Sequence, residues 1–217
     1  MKDKAVLVFS GGPDSTTVLY MALRKGFEVF PLTFDYGQLA KMEIKCARSL
    51  SKRLGLKLRV VNLRSVGCLY AGATSLVDPN IPITSSFTKP IIVPFRNGIM
   101  LSIAVAYAEC IGASRIFYGA QGSDAKNYPD CRLAFARAFE SAAQLGTESK
   151  IVFEAPIIHL EKPQVLQLGK ELGVPYGQTW SCYKEGEKHC GVCESCRNRK
   201  NAFAEAGIPD PTTYLIE

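Results

Sequence analysis

The chain opens with Ala5-Val6-Leu7-Val8-Phe9, nearly all apolar, which runs straight into Ser10-Gly11-Gly12-Pro13-Asp14-Ser15-Thr16-Thr17. Val18, Leu19, Ala22 and Leu23 then follow at helical spacing. A short apolar run bounded by a glycine turn is what a strand buried on both faces requires, as in a parallel sheet. The two glycines permit positive φ and close approach of backbone to a ligand. The helix start aims unpaired N–H groups and the positive end of its dipole at an anion. Ser10, Ser15 and Thr16 can add hydroxyl donors. Asp14 suits such a site only as the cap of the helix or facing a magnesium ion. The loop lacks the Gly-Lys-Ser/Thr ending of a Walker A loop, which argues against γ-phosphate transfer of that kind.

The same rhythm continues down the chain. Residues 27–34, 57–63, 115–118 and 151–154 read as strands, and 42–54, 99–110, 133–145 and 165–172 as helices. Strands alternating with helices predict an α/β fold, a doubly wound parallel five-stranded sheet covered on both faces. Ligands of such sheets bind beyond the carboxyl ends of the strands, at the topological switch point. The glycine loop, residues 35–38 and residues from Gly119 onward are therefore expected to converge there. Residues 64–90 break the rhythm with Gly67, Gly72, Pro79 and Pro82, and are expected to form a long insertion loop. Residues 90–94 read as extended.

The 217 residues, 47% hydrophobic and 21% charged, suit one folded domain with a small appendage. The boundaries expected are 1–178 for the α/β domain and 179–217 for a C-terminal region. No run approaches 18 consecutive apolar residues, and Met1-Lys2-Asp3-Lys4 leads into a strand without a signal peptide, so a cytoplasmic location without membrane contact is expected. The net charge of +6 fits an anionic substrate, but its lysines and arginines are spread along the chain and single out no nucleic-acid partner.

In a reducing compartment the eight cysteines are thiols or metal ligands rather than disulfides. Cys182, Cys190, Cys193 and Cys196 have the spacing C-x7-C-x2-C-x2-C, which suits four thiolates on a tetrahedral zinc ion. An iron–sulfur cluster is the alternative. Their polar surroundings argue against four core thiols, and His189 reads as a neighbour of the site. Cys46 and Cys110 read as core residues on helices.

The string Ser10 to Ser15 resembles the SGGxDS signature of the N-type ATP pyrophosphatases, the PP-loop enzymes. Over nearly the whole chain the sequence is similar to the 7-cyano-7-deazaguanine synthase family. The matching segments are residues 9–17, 35–38, 93–97, 128–132, 179–183, 190–197 and 210–212.

The resemblance implies that 7-carboxy-7-deazaguanine, ammonia and ATP give 7-cyano-7-deazaguanine through adenylated carboxylate and amide, for queuosine or archaeosine synthesis. It further implies zinc, magnesium and a homodimer. It assigns ATP to Phe9, Ser10, Gly11, Gly12, Pro13, Asp14, Ser15, Thr16, Thr17, Val18 and Leu19, with Ser10, Asp14, Ser15 and Arg96 at the reacting groups. Substrate contacts are expected from Tyr36, Gln38, Arg96, Asn97, Asp124, Tyr128, Asp130 and Arg132. Arg96 could neutralise a carboxylate or phosphate, or form a surface ion pair. Asp130 could accept from a guanine-like face, or cap a helix. Tyr36 and Tyr128 could stack on a heterocycle, or fill the core. Asp124 could face magnesium, and Gln121 or Ser123 could line the pocket. Trp180 is expected to pack the cysteine region onto the sheet.

Two segments depart from the family pattern. Phe95 stands where a small residue is usual, and residues 119–127 differ from the usual run before Tyr128. A related ligase that stops at the amide, or joins the deazaguanine carboxylate to another amine such as a protein N-terminus, therefore stays open. A tRNA-binding zinc module without catalysis and a tRNA thiolase are further readings.

Overall fold

Alternation along the first strand decides the layering. The structure, a computed structural model, describes residues 2–216. β1 (Lys4–Val8) sits at the centre of a five-stranded sheet with β2 (Glu28–Asp35), β3 (Arg59–Asn62), β4 (Arg115–Phe117) and β5 (Val152–Glu154), in the order β3-β2-β1-β4-β5. Every pairing is parallel. Successive side chains of a strand point to opposite faces. Ala5, Leu7 and Phe9 therefore enter one core with Val18, Leu19, Ala47, Leu50 and Val165, whereas Val6 enters the other with Leu101, Ala104, Ala108 and Ile116. Each fully buried leucine contributes about 2 kcal/mol by leaving water.

The first core is covered by α1 (Pro13–Arg24), α2 (Met42–Arg53) and α6 (Lys162–Glu171), the second by α4 (Arg96–Ile111) and α5 (Leu133–Gly146). A short α3 (Arg64–Gly67) starts the insertion, and α7 (Glu194–Glu205) is capped by Cys193, carries Cys196 in its first turn and packs on α6. α4 explains itself by composition. The segment from Lys89 to Ile111 has a mean hydropathy of 1.6, apolar enough to cross a membrane, yet Gly98, Met100, Leu101, Ala104 and Ala108 are buried against the sheet. It is the core helix of its layer.

Several boundaries differ from the sequence expectation. α4 begins at Arg96 rather than 99, and α6 at Lys162 rather than 165, because polar first turns at the mouth of the sheet carry no apolar spacing. Residues 90–94 are not uniformly extended: Lys89–Ile91 form a 3-10 turn, and the chain extends only at Ile92. Cys110 is exposed and so is not a core residue, whereas Cys46 is half-buried and packs against the cysteine cluster. Cys110 lies in the last turn of α4, on the side away from the sheet.

The order of strands reverses direction between β1 and β4. The chain leaves β1 through α1 toward β2, and later returns through α4 to β4 on the other side. The two connections splay apart there and open a crevice at the carboxyl ends of β1 and β4.

Candidate active site

The crevice is a cavity of about 650 Å³, inside the range of small-molecule sites. Its floor is the glycine loop. Gly11 has φ +81°, and a Cβ there would stand 2.7 Å from both the Ala47 amide nitrogen and the Glu43 carbonyl oxygen. Only glycine lets the loop lie so close to α2. Gly119 allows a second close approach, since its Cβ would meet the Ser15 nitrogen at 3.0 Å. Within the loop the Ser10 and Ser15 hydroxyls bond each other at 3.0 Å, and the Gly12 amide donates to Ser10 Oγ at 3.2 Å.

The cap of α1 is Gly12, with extended backbone, and Pro13 occupies the first turn, where a missing N–H costs nothing. Asp14 is therefore not the cap. Its Oδ2 pairs with Lys162 at the start of α6, and its Oδ1 is buried without a hydrogen-bond partner. Thr16 does not offer a hydroxyl to the cavity. Its Oγ1 donates to the Gly12 carbonyl at 2.7 Å and is fully buried. Phe9, Ser10, Gly12, Pro13, Asp14 and Ser15 line the cavity, whereas Gly11, Thr16, Thr17, Val18 and Leu19 pack behind it.

The strand ends supply the walls. Tyr36 and Gln38 follow β2, but Gln38 closes its own turn: its Oε1 accepts from the Tyr36 amide at 3.0 Å and its Nε2 donates to the Phe34 carbonyl at 3.0 Å. Arg96, in the first turn of α4, donates to Tyr36 Oη at 3.4 Å and makes no ion pair among the described residues. Its charge faces the cavity. Asp130 serves partly as a cap, though of α4 rather than of its own segment: its Oδ2 accepts from the Asn97 amide at 2.9 Å. Asn97 in turn donates to Cys131 Sγ at 3.3 Å. Tyr128 and Asp124 line the cavity, and Arg132 does not; its guanidinium donates to the Ala125 carbonyl at 2.9 Å on the surface.

Burial shapes the titration of these groups. Desolvation, with the nearby Asp14 charge adding to it, pushes the Asp124 carboxyl up to about 6. Desolvation also raises Tyr128 to about 12 and Cys131 to about 12, the latter helped by Asp124 and Asp130, so both stay protonated at neutral pH. Glu43, from the first turn of α2, is pushed up to about 7 by burial, against the pull of Arg96. Tyr118 Oη and Gln121 Oε1 belong to residues that line the same cavity, are buried, and have no hydrogen-bond partner among the described residues. Buried polar atoms in folded proteins are nearly always paired, so these face a ligand.

Sequence reasoning missed Glu43, Tyr118, Cys131, Tyr183, Glu194, Asn198 and Lys162. Cys131, Tyr183 and Glu194 stood inside the matching segments 128–132, 179–183 and 190–197, and Lys162 carried a signal of its own. Gln164 Oε1 accepts from the Glu161 amide at 2.8 Å, the reciprocal half of a Glu-x-x-Gln capping box that marks a helix start.

The cysteine region forms the remaining wall. Cys182, Cys190, Cys193 and Cys196 are buried, and their sulfurs lie within 4.8 Å of one another. The pairs Cys182–Cys193 and Cys190–Cys196 stand 4.0 and 3.9 Å apart. Four sulfurs about 2.3 Å from one tetrahedral ion are about 3.8 Å from each other. The four thiols thus fit a single zinc-sized ion, whereas the cage of an iron–sulfur cluster would hold them farther apart. His189 is not a ligand: its Nε2 accepts from the Ser181 amide at 3.1 Å, and its ring lies 4.1 Å from that of Trp180. The Trp180 amide donates to the Gly11 carbonyl at 3.0 Å, tying this region to the glycine loop. Arg199 is fully buried and donates to the Tyr176 carbonyl, Thr179 Oγ1, Ser181 Oγ and Asp210.

Phe95 adopts φ +53°, the one left-handed non-glycine among the described residues. Its ring packs over Gly98 and edge-on to Phe135 at 5.9 Å, outside the cavity. It repacks the outer surface and does not narrow the site. Of the other departing segment, Gly119, Ala120, Gln121, Ser123, Asp124 and Asn127 line the cavity, whereas Ala125 and Lys126 stand outside it.

A family model described as queuosine biosynthesis protein QueC matches residues 4–207. A 7-cyano-7-deazaguanine synthase of Caldicellulosiruptor bescii is 42% identical over 99% of this chain and 98% of its own length. One from Thermoplasma volcanium is 42% identical over 99% of this chain and 92% of its own. Among solved structures, a 4-thiouridine synthetase in complex with RNA and bound ATP aligns with a TM-score of 0.57 at 18% identity, over 94% of this chain and 50% of that one. NMN synthetase from Francisella tularensis aligns with a TM-score of 0.53 at 16% identity, over 96% of this chain and 79% of that one. At such identities the structural likeness establishes the fold alone.

Proposed function

This chain belongs to the queuosine biosynthesis protein QueC family, and on that premise we propose that it converts 7-carboxy-7-deazaguanine to 7-cyano-7-deazaguanine with ammonia and ATP. The observation that carries this reading is the cavity itself: a glycine loop at a helix start faces Arg96, which has no ion pair among the described residues, with buried acceptors that lack partners among them between strand ends. An anion-binding loop and a cation for a carboxylate, in one enclosed site, suit attack of the carboxylate on an α-phosphorus.

In this reaction the loop amides hold the pyrophosphate that leaves. Arg96 orients the carboxylate, and Lys162, paired with Asp14 Oδ2 beside the loop, adds positive charge for the phosphates. The carboxylate oxygen bonds to phosphorus and forms an acyl-adenylate, ammonia displaces AMP to give the amide, and a second adenylation of the amide oxygen leads to the nitrile. Catalysis of this type is mainly positioning and charge neutralisation. Magnesium fits the oxygen-only set of Asp14 Oδ1, Asp124 and Gln121 Oε1, and when bound it supplies charge to the phosphates. Zinc at the four thiols serves to hold the wall in shape.

Phe95 lies outside the cavity, so it gives no support to the conjugating alternative. The test is incubation of the protein with magnesium, ATP, ammonium and 7-carboxy-7-deazaguanine, with products followed by mass. Nitrile with AMP and pyrophosphate is expected. Amide that accumulates without nitrile would place the chain with the related ligases, and absence of AMP would sink the reading.

A further inference from the structure

We propose that Glu43 is the base that takes the proton from the attacking ammonia in the amide-forming step, an inference that rests on the reaction proposed above. The argument begins with position. Glu43 projects from the first turn of α2 into the cavity, and its own carbonyl packs against Gly11 of the phosphate loop. On the opposite side stands Arg96, which attracts Glu43 but forms no ion pair with it among the described residues. A carboxylate held by Arg96 and attacking a nucleotide on the loop must pass between the two, beside Glu43.

Elimination supports the same residue. Asp14 is paired with Lys162, Asp130 with the Asn97 amide, Glu161 with Ser123, and Glu194 with Tyr183 and Asn198. Asp124 is hydrogen-bonded to Gln121 and lies near the charges of Asp14, Lys162 and Arg96, in the oxygen-only set that suits magnesium. Glu205 is at the exposed rim. Glu43 is the cavity carboxyl that has no side-chain hydrogen bond or ion pair among the described residues and feels Arg96 only through its charge. The groups around it are Arg96 from α4, Tyr36 after β2, Cys46 on its own helix, and Arg199 from α7 beyond Cys46.

The step balances as written. The nitrogen lone pair forms the carbon–nitrogen bond, and the carbon–oxygen bond to AMP breaks with its electron pair on AMP. The nitrogen's extra proton passes to the Glu43 carboxylate and from there to water. While the substrate carboxylate is anionic, repulsion favours protonated Glu43; adenylation removes that charge and frees Glu43 to ionise. Its titration near pH 7 lets it accept a proton at neutral pH and release it again.

The test separates the two half-reactions in Glu43→Gln, with Glu43→Asp as the conservative partner. Carboxylate-dependent exchange of labelled pyrophosphate into ATP reads adenylation; amide formation at constant free ammonia reads the second step. Glu43→Gln is expected to slow amide formation by about 100-fold or more while exchange falls far less. Its rising limb near pH 7 should vanish, and Glu43→Asp should keep that limb. Hydroxylamine, whose nitrogen becomes more acidic than that of ammonia once it bonds to the carbonyl carbon, loses its proton to water more readily and should restore turnover as the hydroxamate. Ammonia turnover at the wild-type rate in Glu43→Gln, or equal loss of both half-reactions, would overturn the assignment. If Glu43→Gln fails to fold, Glu43→Asp without the pH limb overturns it. Wild-type protein without carboxylate-dependent exchange would instead overturn the adenylation reading.

Discussion

The glycine loop and the cysteine region build adjoining sides of one cavity by opposite means. The loop is local: its shape is set by Gly11, Gly12 and two serines within six residues, and by hydrogen bonds among them. The cysteine wall is assembled from residues 176–210 by four sulfurs and one buried guanidinium. A single backbone bond, Trp180 to Gly11, joins them. The contrast teaches that a ligand loop can be written in a short string, whereas the wall that completes it requires a metal-sized centre and long-range polar contacts.

The largest break in this comparison is Cys190→Ser. A structural zinc in peptides contributes on the order of 10 kcal/mol, and loss of one thiolate forfeits much of that. We expect metal content to collapse, residues 179–199 to lose protection from hydrogen exchange, and activity to vanish with them. Retained metal at full occupancy would contradict the four-thiol site. Gly11→Ala comes next and should break the other wall alone. The left-handed φ costs about 1–2 kcal/mol, and the Cβ would clash with the backbone of α2. A loop displaced by about 1 Å loses activity about 100-fold. Pyrophosphate exchange should fall accordingly while metal content stays intact.

Arg199→Lys sharpens the comparison at the joint. It keeps the charge but cannot satisfy the Tyr176 carbonyl, Thr179, Ser181 and Asp210 together, so a loss of about 1–3 kcal/mol is expected in thermal unfolding. The apparent affinity for ATP should weaken through Trp180 and Gly11, with metal retained. Phe95→Gly is the smallest. It relieves a left-handed residue and gives up the Phe135 contact, so stability should change by about 1 kcal/mol or less and turnover should stay within about twofold.

Legibility follows the same division. The five-stranded parallel sheet, the crevice beyond its strand ends and the loop were readable because apolar strands and glycine turns are encoded by neighbours in sequence, whereas the strand order was not. The thiol cluster was readable from its spacing. Glu43, Tyr118 and Asn198 were not, since their roles depend on which faces of α2, β4 and α7 meet across the sheet. Asp14 shows the limit within the motif itself. Its place in the helix start suggested a cap, but the cap is Gly12, and the true partner Lys162 is 148 residues away.

The central claim is that this cavity activates a carboxylate through the α-phosphorus of ATP, and oxygen transfer tests it most directly. With 7-carboxy-7-deazaguanine labelled with oxygen-18 in the carboxylate, each adenylation should carry one labelled oxygen into AMP. Conversion to nitrile should deliver both, in successive AMP molecules. Label found in inorganic phosphate, or lost to water with none in AMP, would contradict the account.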